Sequence, residues 1–531
     1  TTAAVTRPVA GGDFVEAVLY APTHINPLLS NPAEDQGAAD IQALIFDGLL
    51  RTGNHGQLEA NLARDWQIDD SGLVYTFTLR SDVTWQDGTP LTARDVLFTI
   101  HAIQGPAFSG NPNLNTIWQT VTVEQVDDYH FRCRLRAPYA GFLEAATFPV
   151  LPAHILEAVP PDAWGSVPFN TKPVGTGPYQ LVELNDQRAL LRANPSYFGG
   201  KPFLQSIELR FFDNPQAALN ALVRNDVQSL SYNATSELRS QELPRTVVRY
   251  AVPLDGYTIL TTNLRNGPLA DAGLRRALAT GLDRDQLINQ VFDGLAAPID
   301  TPILPQWWAA SADAHWYSYD QERAALLLDD LGYTLQADGV RARDGTPLHF
   351  ALITDGAPDR VAAAQEIARQ WGQLGIVVDV EQLDPAALQQ RLERHDFTLA
   401  IHAWQRVGAD PDLYELWHSE QAEQGRNYAG LADDTLDNLI SRVRIEKSET
   451  TLLGLYGAFQ QRWIELAPSI PLYQPLVFSA TTRELGGVSF GVPPDDAVFA
   501  QVLFGRENRF RDITHWYLRS AREIDGDLRQ P

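Results

Sequence analysis

Helix and strand patterns alternate along the C-terminal half of this 531-residue chain, which predicts an α/β fold there behind an α+β first half. Three observations carry the prediction. Apolar residues recur at helical spacing over 271–290, 320–331, 358–374, 385–394 and 433–466, several of these runs opening on Asp, Thr or Pro as helix starts do. Between them lie short β runs, LHFALIT at 348–354, IVVDVEQL at 376–383 and FTLAIHAW at 397–404. The length exceeds one hydrophobic core, since a domain takes about 100 to 200 residues, and roughly three domains are expected.

In chain order, TTAAVTRPVAGG at 1–12 is small, polar and broken by Pro8 and Gly11-Gly12, and reads as a flexible tether. A mature exported chain cut after a signal or a lipidated cysteine would begin this way. LVYTFTL at 73–79 predicts a strand entering a turn at Asp87-Gly88. TARDVLFTIHAI at 92–103 predicts a short amphipathic helix with Thr92 at its start. Strands follow at 121–126, 130–135, 179–184 and 207–212, a helix after Pro215, and a pairing region, VVRYAVPLDGYTILTTNL, apolar enough to be buried on both faces.

Composition excludes several function classes. No run approaches the roughly 18 uninterrupted apolar residues a membrane helix needs. A formal charge of −25 repels phosphate backbones and anionic headgroups, so nucleic acid and an anionic membrane surface are not expected partners. Cys133 is the sole cysteine, so no disulfide forms within the chain, and the alternation in HFRCRLR places its thiol on a strand's buried face.

Recognisable chemistry is sparse. Gly175-Thr176-Gly177 superficially resembles a phosphate loop, but Pro178 and a strand follow where a dinucleotide loop would open a helix, so a structural turn is expected. HExxH, paired CxxC and GxSxG are absent. His395 and His402, seven apart across a helix-to-strand junction, are a weak metal hint, and no metal or other cofactor is expected. Twelve tryptophans offer flat apolar faces that stack on side chains or sugar rings. Trp404 stands out because it ends an apolar strand and precedes a glycine-containing loop, where α/β proteins place ligand contacts.

Several segments together resemble one family. ARDWQIDDSGLVYTFTLRSDVTWQDGTPLTARDVLFTI (63–100) is similar to the diagnostic segment of the family 5 extracellular solute-binding proteins, the peptide, nickel and oligosaccharide receptors of ABC importers. IFDGLLR (45–51), VGTGPYQL (174–181), NLRNGPLADAGLRRALATGLDRDQLI (263–288) and RWIELAPSIPLYQP (462–475) fall in the family's order, and the resemblance runs from about residue 13 onward. It implies a non-enzymatic, exported and often lipid-anchored receptor, expected as a monomer, that hands its solute to a pair of permease subunits. A peptide is the first expectation for that solute and an oligosaccharide the second; a secreted hydrolase is the reading from another class. The implied fold is α/β, a two-lobed periplasmic-binding-protein type II-like fold with an extra α+β domain inserted in lobe one. On this sequence lobe one maps to 13–47, 172–262 and 476–531, the insertion to 48–171 and lobe two to 263–475.

The resemblance also implies a ligand site. Trp404 matches a tryptophan that contacts ligand in peptide receptors, where an Asp three residues later pairs with the peptide's free amine; here that position is Val407. Asp410, followed by Pro411, matches a later Asp-Pro element and suits a helix start or turn, while Arg406 suits a carboxylate. The remaining expected contacts are Tyr20, Thr23, His24 and Asn26 in the first lobe, and Tyr257 and Asn263 on the segment feeding the crossover. Leu413, Leu416 and Trp417 have helical spacing for packing.

Overall fold

The computed structural model describes residues 4–31, 35–53, 57–233, 238, 241–265, 267–405, 413–446, 448–488, 503 and 505–524. Two compact units divide the chain: Thr1–Tyr232, Ser236–Val252 and Val477–Pro531 form the first, Asn233–Thr235 with Pro253–Leu476 the second.

The first unit is built on a seven-stranded sheet whose spatial order is Val247–Pro253, Leu476–Thr482, Ser229–Asn233, Asp13–Leu19, Ser206–Phe212, Arg188–Ala193 and Tyr179–Leu184. Asp13–Leu19 pairs in parallel with both its neighbours. Under the sheet lies a buried ion network: Arg509 holds Asp40 through two hydrogen bonds of 2.7 and 2.8 Å and Glu16 through one of 3.0 Å, all three side chains at most 1% exposed. Residues 4–9, read from the sequence as part of a tether, instead form a strand paired antiparallel with Arg519–Ile524. Its partner lies at the other end of the chain, so local composition carried no trace of it.

The segment expected as an insertion carries its own four-stranded antiparallel sheet, in the order Ala63–Ile68, Val74–Leu79, His130–Arg134, Thr122–Gln125, with the helix Ala93–Gln104 and a separate buried cluster around Trp85, Phe77, Phe131 and Cys133. Cys133 is fully buried on its strand, and burial pushes its thiol pKa up. Gly175-Thr176-Gly177 is a packing turn, as expected. Gly177 N–H donates to the Ile45 carbonyl at 2.8 Å, and a Cβ on Gly175 would come within 1.9 Å of that same oxygen.

The second unit is centred on five strands, labelled here with the two helices that connect three of them: β1 (Gly256–Thr262), β2 (His349–Asp355), α1 (Pro358–Gln373), β3 (Val377–Leu383), α2 (Pro385–Glu393), β4 (Leu399–Gln405) and β5 (Ser469–Tyr473). The order across the sheet is β3-β2-β4-β1-β5. β2 runs parallel to β3 and β4, whereas β1 is antiparallel to β4 and β5. The two βα crossovers follow from sequence: apolar runs end on Asp355 and Leu383, and Pro358 and Pro385 each open the next helix, where a missing N–H costs nothing.

Two long helical stretches of the sequence are each broken. The 271–290 run splits into Ala272–Thr280 and Arg284–Phe292, because Gly281 ends the first and the Asp283 carboxylate caps the second through Gln286 N at 2.8 Å. The 433–466 run splits into Asp434–Val443 and Glu449–Leu466, the latter capped by Ser448.

Candidate ligand site on the second unit

The strand directions bring the carboxyl ends of β2, β3 and β4 to one edge of the sheet, together with the start of β1. Asp355 stands opposite Leu383, Trp404 opposite Tyr257 and Tyr473 opposite Thr258. In open α/β sheets this edge is where ligands sit. An open concavity of about 620 Å³ lies there, lined among others by Asp355, Ala357, Arg360, Leu383 and Asp384.

Each polar group at the edge is fixed by its element. Asp355 accepts from the Ala357 backbone at 3.1 Å and grips Arg360 with two bonds of 2.7 and 2.8 Å. Burial disfavours the Arg360 charge, but Asp355 and Asp359 more than offset it and its pKa is raised. Asp384 caps α2 through Ala387 N at 2.8 Å, so carboxylates already stand at the N-termini of both helices and complement their dipoles. Asp359 accepts the Tyr473 hydroxyl at 2.9 Å. Burial, with Asp359 adding to it, raises that phenol's pKa.

His402 and Trp404 alternate onto the same face of β4. His402 is 6% exposed, its Nε2 2.9 Å from Thr261 Oγ1. Burial, assisted by the Arg360 charge and opposed by Asp355, pushes its pKa down to about 3, so the imidazole is neutral at pH 7. Its edge meets the Trp404 ring at 5.1 Å and the Tyr428 ring at 5.8 Å, and Trp404 lies stacked on Tyr428 at 5.6 Å and 14°. The half-buried Trp404 ring therefore sits at a candidate binding edge on an aromatic bed. A metal role for His402 with His395 gains no support: His402 is bonded to Thr261, and no cluster of metal-ligating side chains occurs among the described residues.

The other expected contacts disperse. Tyr257 lies at the right edge but is 1% exposed, packed in the core, its hydroxyl without a hydrogen bond among the described residues. Asn263 follows the far end of β1, six residues from Tyr257 and so about 20 Å along the strand. Its amide donates to the His395 and Phe397 carbonyls at 3.0 and 2.9 Å, and its oxygen accepts from Arg265. Asn263 is thereby a staple for the turn before β4. Arg406, Val407 and Asp410 lie outside the described residues. Leu413 and Trp417 are buried as expected, Trp417 against Trp463 at 5.2 Å.

In the first unit, Tyr20 is 60% exposed with a left-handed φ of 65°, and Thr23 and His24 are exposed on the following turn. Asp35 fixes that turn, accepting from Thr23 N at 2.7 Å while its other oxygen caps the helix Gln36–Ile45. Asn26 is 1% exposed and fully engaged, donating to Asn170 at 3.0 Å and accepting from Leu28 N at 3.1 Å.

Tyr428, Gln389 and the Asp355–Arg360 pair were not singled out from sequence. Tyr428 belongs to the tight NYAG turn, which shows nothing of the ring it faces. Asp355 and Arg360 at the end of an apolar run and the start of a helix were a visible signal, of the kind that marks a βα turn.

A mixed α/β sheet with an open concavity and a stacked tryptophan at the carboxyl ends of its parallel strands is the kind of edge at which α/β proteins bind ligands. Residues 57–424 match the bacterial extracellular solute-binding proteins, family 5 (middle region). The chain belongs to that family; it is a solute-binding protein and not an enzyme. It is 27% identical over 494 residues to the oligopeptide-binding protein AppA of Bacillus subtilis, covering 91% of this chain and 90% of AppA. It is also 27% identical to di/tripeptide-binding protein 2 of Pseudomonas aeruginosa, covering 80% and 83% of the two chains. The structure of B. subtilis AppA in complex with a nonapeptide superposes with a TM-score of 0.69 at 26% identity, over 97% of this chain and 100% of that one. Among the described residues no helix is long and apolar enough to cross a membrane.

Proposed function

We propose that this protein is the extracytoplasmic receptor of an ABC importer and that its solute is a peptide. The observation that supports this best is the full-length similarity to an oligopeptide-binding protein whose structure holds a nonapeptide, together with a stacked tryptophan at the sheet edge where α/β proteins bind ligands. In this reading Trp404, Arg406, Val407 and Asp410 are ligand contacts from lobe two, and Tyr20, Thr23 and His24 are ligand contacts from lobe one. Lobe one comprises 13–47, 172–262 and 476–531, interrupted by the insertion 48–171, and lobe two comprises 263–475. Peptide bridging the lobes favours the closed form, and the permease pair reads closure, with an N-terminal lipid keeping the receptor, as a monomer, at the membrane surface.

The test is a titration of free-amine and N-blocked peptides of two to nine residues and of oligosaccharides, followed by melting temperature and calorimetry. Peptides are expected to raise the melting temperature saturably and to be recovered intact, since a ligand of the native state alone stabilises by mass action. Saturable shifts with oligosaccharides and none with peptides would overturn the peptide reading.

A further inference from the structure

Trp404 is the least restrained member of its cluster. It is half-buried near the end of β4, where its ring packs against His402 and Tyr428. Tyr428, against which it stacks, is held from every side. Its hydroxyl accepts from Gln389 Nε2 on α2 at 3.0 Å, and its carbonyl accepts from Arg265 Nη1 at 2.8 Å. The neighbouring Ala429 carbonyl takes Leu264 N–H at 2.9 Å. Buried Asn427 ties the same turn to the His418 and Leu431 carbonyls at 3.1 and 2.8 Å. Arg265 is itself steadied by Asn263 Oδ1 at 3.2 Å. Tyr428 is 4% exposed, so a ligand at the edge meets Trp404 and not the ring beneath it.

We propose that Tyr428 is a positioning residue for ligand capture: it fixes the plane of the Trp404 indole in advance, and Gln389 and the Asn263–Arg265 staple in turn fix Tyr428. This rests on the reading of Trp404 as a ligand contact. The physical reason is pre-organisation. A tryptophan already locked in its binding rotamer loses little side-chain entropy when a ligand settles on it, whereas an unsupported ring must be ordered at the moment of binding. A parallel offset stack is a geometry aromatic pairs favour, and the buried, hydrogen-bonded tyrosine cannot turn away from it.

The experiment uses the full chain labelled with 5-fluorotryptophan, the Trp404 resonance being assigned by its loss in Trp404→Phe. Tyr428→Leu is expected to shift and broaden that resonance, because the ring current and the restraint are both removed, while Tyr428→Phe, which keeps the ring, leaves it close to its native position. Affinity is then measured for an unblocked nonapeptide of eight alanines with a central leucine. Tyr428→Leu is expected to weaken it by about three- to tenfold in the native background and not at all in the Trp404→Ala background. Equal losses in both backgrounds, or a Trp404 resonance untouched by Tyr428→Leu, would overturn the proposal. Should Tyr428→Leu fail to fold, Tyr428→Met carries the same test, since a flexible apolar side chain fills much of the same space without a ring to stack on Trp404. If the nonapeptide does not bind the native protein, the peptide reading falls, and the fluorine resonance still decides whether Tyr428 sets the Trp404 ring.

Discussion

The neutral imidazole under the aromatic edge makes a quantitative prediction. His402 titrates near 6.5 in an unfolded chain, while burial first and the Arg360 charge second push it down to about 3 in the folded one. Between those values the unfolded state binds a proton that the folded state refuses, so the contribution is whole above pH 6.5 and is lost as the pH falls toward 3. The gap from 6.5 to pH 5 is about 1.5 pH units, which corresponds to about 2 kcal/mol of stability lost on going from pH 7.5 to 5.0. His402→Asn keeps a donor and acceptor near Thr261 and cannot titrate in this range. The measurement is urea unfolding of both proteins by far-ultraviolet circular dichroism at pH 7.5 and 5.0. Carboxylates contribute to the acid dependence of each, but they are common to both and cancel in the difference. The variant is therefore expected to lose about 2 kcal/mol less than the native protein over this interval. Parallel pH dependences, or an assigned His402 ring proton that titrates above pH 5, would refute the argument that the imidazole is held neutral.

Three further outcomes are expected. Arg509→Leu leaves Asp40 and Glu16 buried without the guanidinium that hydrogen-bonds both, with only the nearby Arg506 charge to oppose theirs, so the first unit should lose about 3 to 5 kcal/mol in urea unfolding. That loss should shrink as the pH falls, because burial already raises the Glu16 pKa and removal of Arg509 takes away the main charge that opposes it. Gly175→Ala drives a methyl into the Ile45 carbonyl and should cost about 1 to 3 kcal/mol, read from the melting temperature, with a cost near zero counting against the packing-turn assignment. Val407→Asp should strengthen binding of free-amine dipeptides measured by calorimetry; native protein that already binds them at micromolar affinity through the amine would contradict this.

Much of the second unit was legible in the sequence because its signals are local. The runs 348–354, 376–383 and 397–404 became β2, β3 and β4 within a residue or two, since an apolar strand ending on Asp355 or Leu383 and a proline opening the next helix mark their own boundaries. The split of 271–290 was also written there, in Gly281 and Asp283, but helical periodicity across the break outweighed the two punctuating residues. What was not legible is pairing at a distance. The strand at 4–9 finds its partner at 519–524, and the stack of Trp404 joins residues 24 apart through a turn whose composition is unremarkable. For Asn263 the strand was found while the sense of the residue was lost: a position at the far end of β1 is about 20 Å from the binding edge, a fact of direction that periodicity alone does not contain.

The electrostatics of the edge bear on what it can hold. Asp355 is balanced by Arg360, Asp384 caps a helix, His402 is uncharged, and Asp359 accepts one hydrogen bond from Tyr473. Among the described residues these groups leave a modest negative balance beside the half-buried Trp404 ring. With Trp404 as the proposed contact, the described part of this edge selects by the fit of a flat or aliphatic portion of the solute against the indole. Stacking on an indole asks for shape and polarisable surface and not for a matched hydrogen bond, so the proposed contact would tolerate many side chains at one position. A stacking contact of this kind carries no directional bond to order the ligand, so its contribution to affinity depends on how little the ring must reorganise when the ligand arrives.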